Sequence, residues 1–296
     1  MFFSDYFSAI TYRFGYELHR MLFLRPGKRL QKSKLIVVGS FRVGGAGKTP
    51  VAMELAQKFA LEGKSVAVLV HAVAADEELL LQRKLASVAG LVKVIRTKNR
   101  YKTSLEIDGT VDVIVCDDGF EDSRMRPDET ILLDWNEPCE LIHDLWPSGN
   151  CRSLRRDHPN ITKTLQCEKD VLFSVEKIVP LELWKNGESA LDKNGSSCLS
   201  PFASCLVVCG LGDPERFELD VETCLKQMDK CPEIADFVVR PDHDNAFASF
   251  MEPFCTENPE SAVIISEKDA CRLLLAEKPL EALKNVFVAV QKVEIH

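Results

Sequence analysis

The run Gly39-Ser-Phe-Arg-Val-Gly-Gly-Ala-Gly-Lys-Thr-Pro50 constrains this chain more than any other segment. It follows a short apolar stretch, Leu35 to Val38, and precedes Val51 to Leu61, which has helical spacing. Strand, glycine loop, Lys-Thr and helix is the context in which backbone N–H groups curl around phosphate at the positive end of a helix. Gly44, Gly45 and Gly47 permit the curl, and Val43 and Ala46 complete the cradle. Lys48 is expected to reach the β- and γ-phosphates of a nucleotide and Thr49 to hold Mg²⁺. Pro50 is tolerated because a first-turn residue has no intrahelical partner for its missing N–H. Arg42 stands where the strict GxxxxGK[ST] pattern has its first glycine, a departure in the pattern rather than in the physics.

A second signal is Val111 to Cys116, an apolar run ending in Asp117-Asp118-Gly119-Phe120. Carboxylates at the C-terminal end of a parallel strand face the crevice where ligands bind, so Asp117 and Asp118 are candidate metal residues beside Thr49. An Asp-Asp-Gly turn is also an ordinary strand terminator, and only its pairing with the glycine loop makes it informative.

Further strand-like runs are Ser65 to Val70, Leu91 to Ile95, Thr130 to Asp134 and Val171 to Val175, with helical spacing over Asp76 to Ala86. A second alternating block begins near Ser204, with strands at Cys205 to Cys209, Ile234 to Val239, Ala262 to Ser266 and Val286 to Val290. Helices are expected there at Pro214 to Met228, Ala246 to Phe254 and Lys268 to Ala276. With 296 residues, 46% of them hydrophobic, the chain can fill two modest cores. The expected fold class is α/β: a phosphate-loop NTPase-type, mostly parallel sheet with helices on both faces, a second smaller α/β lobe and an N-terminal amphipathic helix. The expected organisation is residues 1–34 as helix and basic segment, 35–184 as nucleotide-binding domain, 185–203 as linker or hairpin, and 204–296 as a lobe completing the cleft.

The formal charge of -8 argues against nucleic acid as a partner, because phosphate-driven binding needs a basic surface. Yet through Lys34 the chain has seven basic residues against two acidic ones. Phe3, Phe7, Ile10, Phe14, Leu18 and Met21 recur at three- and four-residue steps on one face of a helix reaching about Leu24. Charged residues interrupt it too often for a membrane span, but an apolar face followed by Arg25, Lys28, Arg29, Lys32 and Lys34 suits a headgroup boundary. A helix simply packed on the body accounts for the same pattern. Eleven cysteines without a CxxC pair read as reduced, buried cytosolic thiols rather than a zinc site or a disulfide framework.

Taken with Gly210-Leu-Gly-Asp-Pro-Glu-Arg-Phe217, Pro241-Asp-His243 and Ser266-Glu-Lys-Asp-Ala-Cys-Arg-Leu273, the two loop motifs resemble, in order and context, the tetraacyldisaccharide 4'-kinases of lipid A biosynthesis. The resemblance covers nearly the whole chain. It implies a peripheral enzyme on the cytoplasmic face of the bacterial inner membrane that moves the γ-phosphate of ATP to the 4'-hydroxyl of an acylated glucosamine disaccharide 1-phosphate, with Mg²⁺. It also implies catalytic roles for Asp76 and His243 at the acceptor hydroxyl together with Lys48, and substrate contacts by Arg152 and Glu77. By residue type alone, Asp76 reads as a helix cap and His243 as a surface loop residue.

The chain departs from the family pattern in four places, one being Ala75 where the family usually has a glycine before the acid. The Arg-Gly-Tyr-Gly segment before the acid is missing, Gln-His after Asp-Asp-Gly-Phe is Glu121-Asp122, and Pro-Ala-Gly-Pro-Leu-Arg-Glu survives as Pro147-Ser-Gly-Asn-Cys-Arg-Ser153. These changes imply a divergent member. They leave two rivals open: a membrane-associated nucleotide-binding protein that has lost kinase activity, and a phosphate-loop nucleotide hydrolase.

Overall fold

The computed structural model describes residues 2–23, 27–187, 199, 201–228, 232–242, 244, 246–276 and 283–296, which fall into two compact units. The first comprises Met1–Leu172 with Glu294–His296, the second Phe173–Val293. Most of the expected 185–203 linker, together with His243, lies outside the described residues.

In the first unit α1 (Phe2–Phe23) precedes β1 (Lys34–Gly39), α2 (Lys48–Leu61), β2 (Val66–His71), α3 (Ala75–Lys84) and β3 (Val92–Thr97). Then come α4 (Arg100–Glu106), β4 (Val113–Asp117), β5 (Glu129–Asp134) and β6 (Lys163–Gln166). The strands form one sheet in the order β3-β2-β4-β1-β5-β6, and every neighbouring pair is parallel. Leu35–Val38, Val66–Val70 and Val113–Asp117 are buried throughout, which is why these strands read as continuous apolar runs rather than alternating ones. The small side chains Ala52, Ala56 and Ala60 are buried on α2 and let that helix approach the sheet closely. A core of Leu35, Val37, Phe41, Leu69, Ile114, Cys116, Phe120 and Leu132 takes in Ala9 of α1.

α1 therefore packs on the body, but by an unexpected face. Ala9 is fully buried and Tyr12, Arg13, Tyr16 and Arg20 are half-buried, whereas Phe7, Phe14 and Met21 of the apolar stripe are 66–70% exposed. No described helix is long and apolar enough to cross a membrane.

The second unit takes in most of β7 (Val171–Pro180) and β11 (Val286–Ile295), with α5 (Leu181–Lys185), β8 (Ser204–Cys209), α6 (Pro214–Lys226), β9 (Glu233–Val239), α7 (Phe247–Glu257), β10 (Ser261–Ser266) and α8 (Glu267–Leu275). Its sheet order is β7-β11-β10-β8-β9, parallel from β11 through β9.

The thiol reading needs a correction. Cys139 and Cys151 form a disulfide with their Cα atoms 5.7 Å apart, while seven other described cysteines are free and buried. The chain reverses between Leu145 and Cys151, where the Trp146 N–H donates to the Cys151 carbonyl at 2.9 Å, and linear spacing does not reveal that reversal. Among the described residues no group of three or more His, Cys, Asp or Glu side chains is placed to hold a metal ion.

On α6, Asp220 leaves Oδ2 buried without a hydrogen-bond partner among the described residues, and burial pushes its carboxyl up to about 6. A carboxyl whose folded pKa is raised favours the fold when protonated, and that stability is lost as pH rises from about 4 through about 6. Asp220→Asn is expected to raise the melting temperature at pH 8 by about 2–4 °C, because solvent screening at a half-buried site limits the gain to about 1 kcal/mol. Near pH 4 the variant and the parent should melt together; calorimetry at the two pH values checks this.

Candidate active site

The phosphate loop leaves β1 at Gly39, where a Cβ would overlap Phe120. Gly44, Gly45 and Gly47 all have positive φ, at 73°, 57° and 76°, a region that favours glycine. Gly47 caps α2 without any side-chain capping bond, so the first N–H groups of that helix remain available to a ligand. Neighbouring segments hold the loop from outside. The Val43 N–H donates to the Asn150 carbonyl at 2.8 Å, the Arg152 N–H to the Phe41 carbonyl at 2.8 Å, and the Trp135 indole to the Ala46 carbonyl at 3.2 Å. The Arg42 guanidinium lies over the Trp135 ring, 5.1 Å from its centroid. Pro50 occupies the first turn of α2, as its missing N–H requires.

The sheet order brings the two motifs together. β4 lies directly beside β1, with Val38 opposite Asp117 in the ladder, so the glycine loop and the acidic strand end emerge side by side. The Thr49 hydroxyl donates to Asp117 Oδ2 at 2.7 Å, and the Lys48 ammonium lies 3.5 Å from Asp118 Oδ1. Arg152 donates to Asp118 Oδ2 at 2.9 Å, and Arg100, at the start of α4, donates to the Asp117 carbonyl at 2.9 Å.

The two acids titrate in opposite directions. Burial, with the Glu77 charge adding to it, pushes Asp117 up to about 7. Burial acts the same way on Asp118, but the Lys48 and Arg152 charges outweigh it and hold that carboxyl below its ordinary range. Asp118 adopts a positive φ of 54°, which belongs to the turn that aims it at both cations. Asp117 Oδ1 is buried and has no hydrogen-bond partner among the described residues. An unshared carboxylate oxygen beside a threonine hydroxyl is a hard-oxygen donor set suited to Mg²⁺.

Asp76 is buried in the first turn of α3 at 6% exposure, and it is not the helix cap that residue type suggests. Ala74 holds the cap position, and Asp76 Oδ1 accepts from the Glu77 N–H at 3.0 Å. Glu121 and Asp122 do not stand as bare charges. Glu121 accepts from Tyr16 and Ser153 at 2.8 and 2.7 Å, and Asp122 accepts from Arg124 at 2.9 and 2.7 Å. Arg100 and Trp135 escaped the sequence reading. The one local trace of Arg100 is Asn99, whose side chain accepts from the Lys102 N–H and caps α4 just ahead of it.

In the second unit the three remaining motifs converge on one hydrogen-bonded knot, buried at Asp269 and Arg272 and open to solvent at Asp242. Arg272 donates to the Gly210 carbonyl at 2.6 Å, to Asp269 Oδ1 at 2.8 Å and to Asp242 Oδ1 at 3.0 Å. Asp269 also accepts from the Ser266 hydroxyl at 2.7 Å and the Gly210 N–H at 3.1 Å, while Lys268 reaches Asp242 at 3.1 Å. These motif residues are architectural, and they hold the residue preceding His243.

A glycine nest at a helix start, its Lys-Thr pair bonded to acids on the adjacent strand, defines a phosphate-loop nucleotide-binding protein. The chain belongs to the tetraacyldisaccharide-1-P 4'-kinase family, whose model matches residues 6–296. A tetraacyldisaccharide 4'-kinase of Chlamydia trachomatis is 27% identical over 289 residues, covering 83% of this chain and 74% of that protein. The enzyme of that name from Halorhodospira halophila is 29% identical over 292 residues, covering 89% and 81%. The fold matches that of LpxK from Aquifex aeolicus, solved in complex with ATP, with a TM-score of 0.65 and 20% identity over 99% of this chain and 93% of that one.

Removing one partner from a buried ion pair strands the other charge, at a cost of about 3–5 kcal/mol. Arg272→Ala is accordingly expected to lower the melting temperature by about 10 °C or more, which thermal unfolding followed by circular dichroism would register.

Proposed function

We propose that this chain transfers the γ-phosphate of ATP to the 4'-hydroxyl of an acylated glucosamine disaccharide 1-phosphate in lipid A biosynthesis. Family membership over residues 6–296 supports the reaction, and the Thr49–Asp117 pair with its unshared oxygen is the observation that carries the chemistry. In the reaction the bond between the γ-phosphorus and the β,γ-bridging oxygen breaks, a bond from the 4'-oxygen forms, and the hydroxyl proton passes to a carboxylate.

The roles follow from the donors present. The N–H groups of residues 43–49 bind the phosphate oxygens, and Lys48, whose ammonium lies 3.5 Å from Asp118, reaches the β- and γ-phosphates. Thr49 and Asp117, with Asp118 alongside, would hold Mg²⁺, which supplies charge neutralisation at the transferring phosphoryl group. A cation there keeps Asp117 ionised against the burial that otherwise raises it to about 7. Asp76 is the base we assign to the acceptor hydroxyl, and Glu77 and Arg152 the residues we assign to substrate. The role of His243 rests on the family pattern alone.

The acceptor carries several acyl chains and stays in a bilayer, so the enzyme must work at the membrane surface. The exposed Phe7, Phe14 and Met21 of α1 support a peripheral attachment to the cytoplasmic face of the inner membrane, with the basic residues from Lys28 to Lys34 beside anionic headgroups.

Purified protein given labelled ATP, Mg²⁺ and the disaccharide lipid is expected to yield the 4'-phosphorylated product. Lys48→Ala should lower kcat about 100-fold or more, and Asp76→Asn about 100- to 10,000-fold with the fold intact. Tight ATP binding without transfer, or hydrolysis that needs no lipid acceptor, would overturn the assignment. Phe14→Ser with Met21→Ser should release the protein from anionic vesicles in a sedimentation assay, since each substitution removes apolar area from the interface.

A further inference from the structure

The face by which α1 docks is built from polar bonds to the two segments that carry the charges of the phosphate site. Ala9, Tyr12, Arg13, Tyr16 and Arg20 follow helical spacing along that face. The Tyr12 hydroxyl donates to the Arg152 carbonyl at 2.8 Å, and the Tyr16 hydroxyl donates to Glu121 Oε2 at 2.8 Å. Arg13 donates to both carboxylate oxygens of Asp157, and Arg20 to the Asp157 carbonyl at 3.4 Å. Glu121 Oε1 accepts from the Ser153 hydroxyl at 2.7 Å, Ser153 is bonded to His158 at 2.9 Å, and the His158 ring stacks on Phe120 with centroids 4.0 Å apart.

One gripped segment runs from Asp118 to Glu121 and the other from Arg152 to His158, so Glu121 and Ser153 tie together the stretches whose first residues, Asp118 and Arg152, pair at 2.9 Å. Burial works against the Glu121 charge, yet His158, Ser153 and Tyr16 together hold its carboxyl below the ordinary range, so Glu121 acts as an ionised hub. The opposite face of the same helix is the exposed apolar stripe. Among the described residues α1 is anchored by buried Ala9, half-buried Tyr12 and a few polar bonds, so it opens more readily than the core, and a surface that binds the docked helix more tightly than the released one shifts that equilibrium.

We propose that α1 is a strap through which a lipid surface sets the geometry of the phosphate site, with Tyr12, Tyr16 and Glu121 as positioning residues for Arg152 and Asp118. This rests on the kinase reading above for its effect on turnover. Lipid bound to the outer face holds the helix down, which keeps the Arg152 carbonyl and the Glu121 carboxylate in place and with them the Arg152–Asp118 pair. Turnover then rises where the acceptor resides.

The test uses the full chain, the Tyr12→Phe/Tyr16→Phe double variant, and Tyr16→Phe and Glu121→Gln singly and combined. Hydrogen–deuterium exchange over residues 117–121 and 150–158 is followed with and without vesicles of phosphatidylethanolamine and phosphatidylglycerol. The vesicles should slow exchange in both segments of the parent and in neither segment of the tyrosine double variant. In mixed micelles carrying the acceptor, kcat of the double variant should fall about tenfold while the KM for ATP stays within about twofold, since misplacement costs the transition state more than ground-state binding. Tyr16→Phe and Glu121→Gln should be non-additive in kcat, because both disturb the one network in which Glu121 accepts from Tyr16 and Ser153, and a glutamine amide can accept with only one of its two terminal atoms. Unchanged exchange on adding vesicles, full kcat in the double variant, or additive single effects would each overturn the proposal. A parent chain that transfers no phosphate to the lipid defeats the kinase reading instead, and the exchange measurement, which needs neither ATP nor acceptor, still decides whether α1 is the strap.

Discussion

Val38 and Asp117 lie opposite each other in the parallel ladder of β1 and β4, and the site depends on that register. Because β1 is followed by the glycine nest and β4 by the acidic turn, pairing these two strands puts Thr49 against Asp117 and Lys48 near Asp118. The close approach is exacting. Gly39 at the end of β1 has no room for a Cβ beside Phe120, and Gly119 has none beside Cys116. A one-residue slip would turn each side chain of β4 to the other face of the sheet and separate the threonine from its acid.

Charge is balanced locally across the site, which lets an acidic chain hold a polyphosphate. Asp118 is shared by Lys48 and Arg152, Asp122 by the backbone and side chain of Arg124, and Glu121 by three hydrogen-bonding groups. Asp117 differs, a buried carboxylate with one oxygen unshared among the described residues, and the cost of its burial is what a cation would offset. The second unit follows the same rule at Asp269, where burial raises the carboxyl while Arg272 and Ser266 oppose the rise.

Much of this was legible because the signals are local. Continuous apolar runs of four to six residues separated by helical spacing specify buried parallel strands, and three glycines before Lys-Thr specify a nest, since both follow from backbone sterics and hydrogen bonding within a short window. The docked face of α1 was not legible. Its apolar stripe is the stronger periodic signal, yet the helix turns that stripe outward and docks through Tyr12, Arg13, Tyr16 and Arg20, whose partners lie more than a hundred residues away in sequence. The Cys139–Cys151 pairing and the Arg100 bond to the Asp117 carbonyl span only 12 and 17 residues, and they were hidden because each depends on how the intervening loop turns, which periodicity does not report.

By itself, then, the sequence determined the α/β class, the phosphate loop, the acidic strand end and the family, each of them written in contiguous residues. Only the tertiary structure decided that Arg152 and Lys48 share Asp118, that the late Ser-Glu-Lys-Asp motif braces Asp242, and that α1 grips the site with one face while exposing the other. Such pairings are set by strand order and by which buried charge finds which partner, and no window of neighbouring residues contains either.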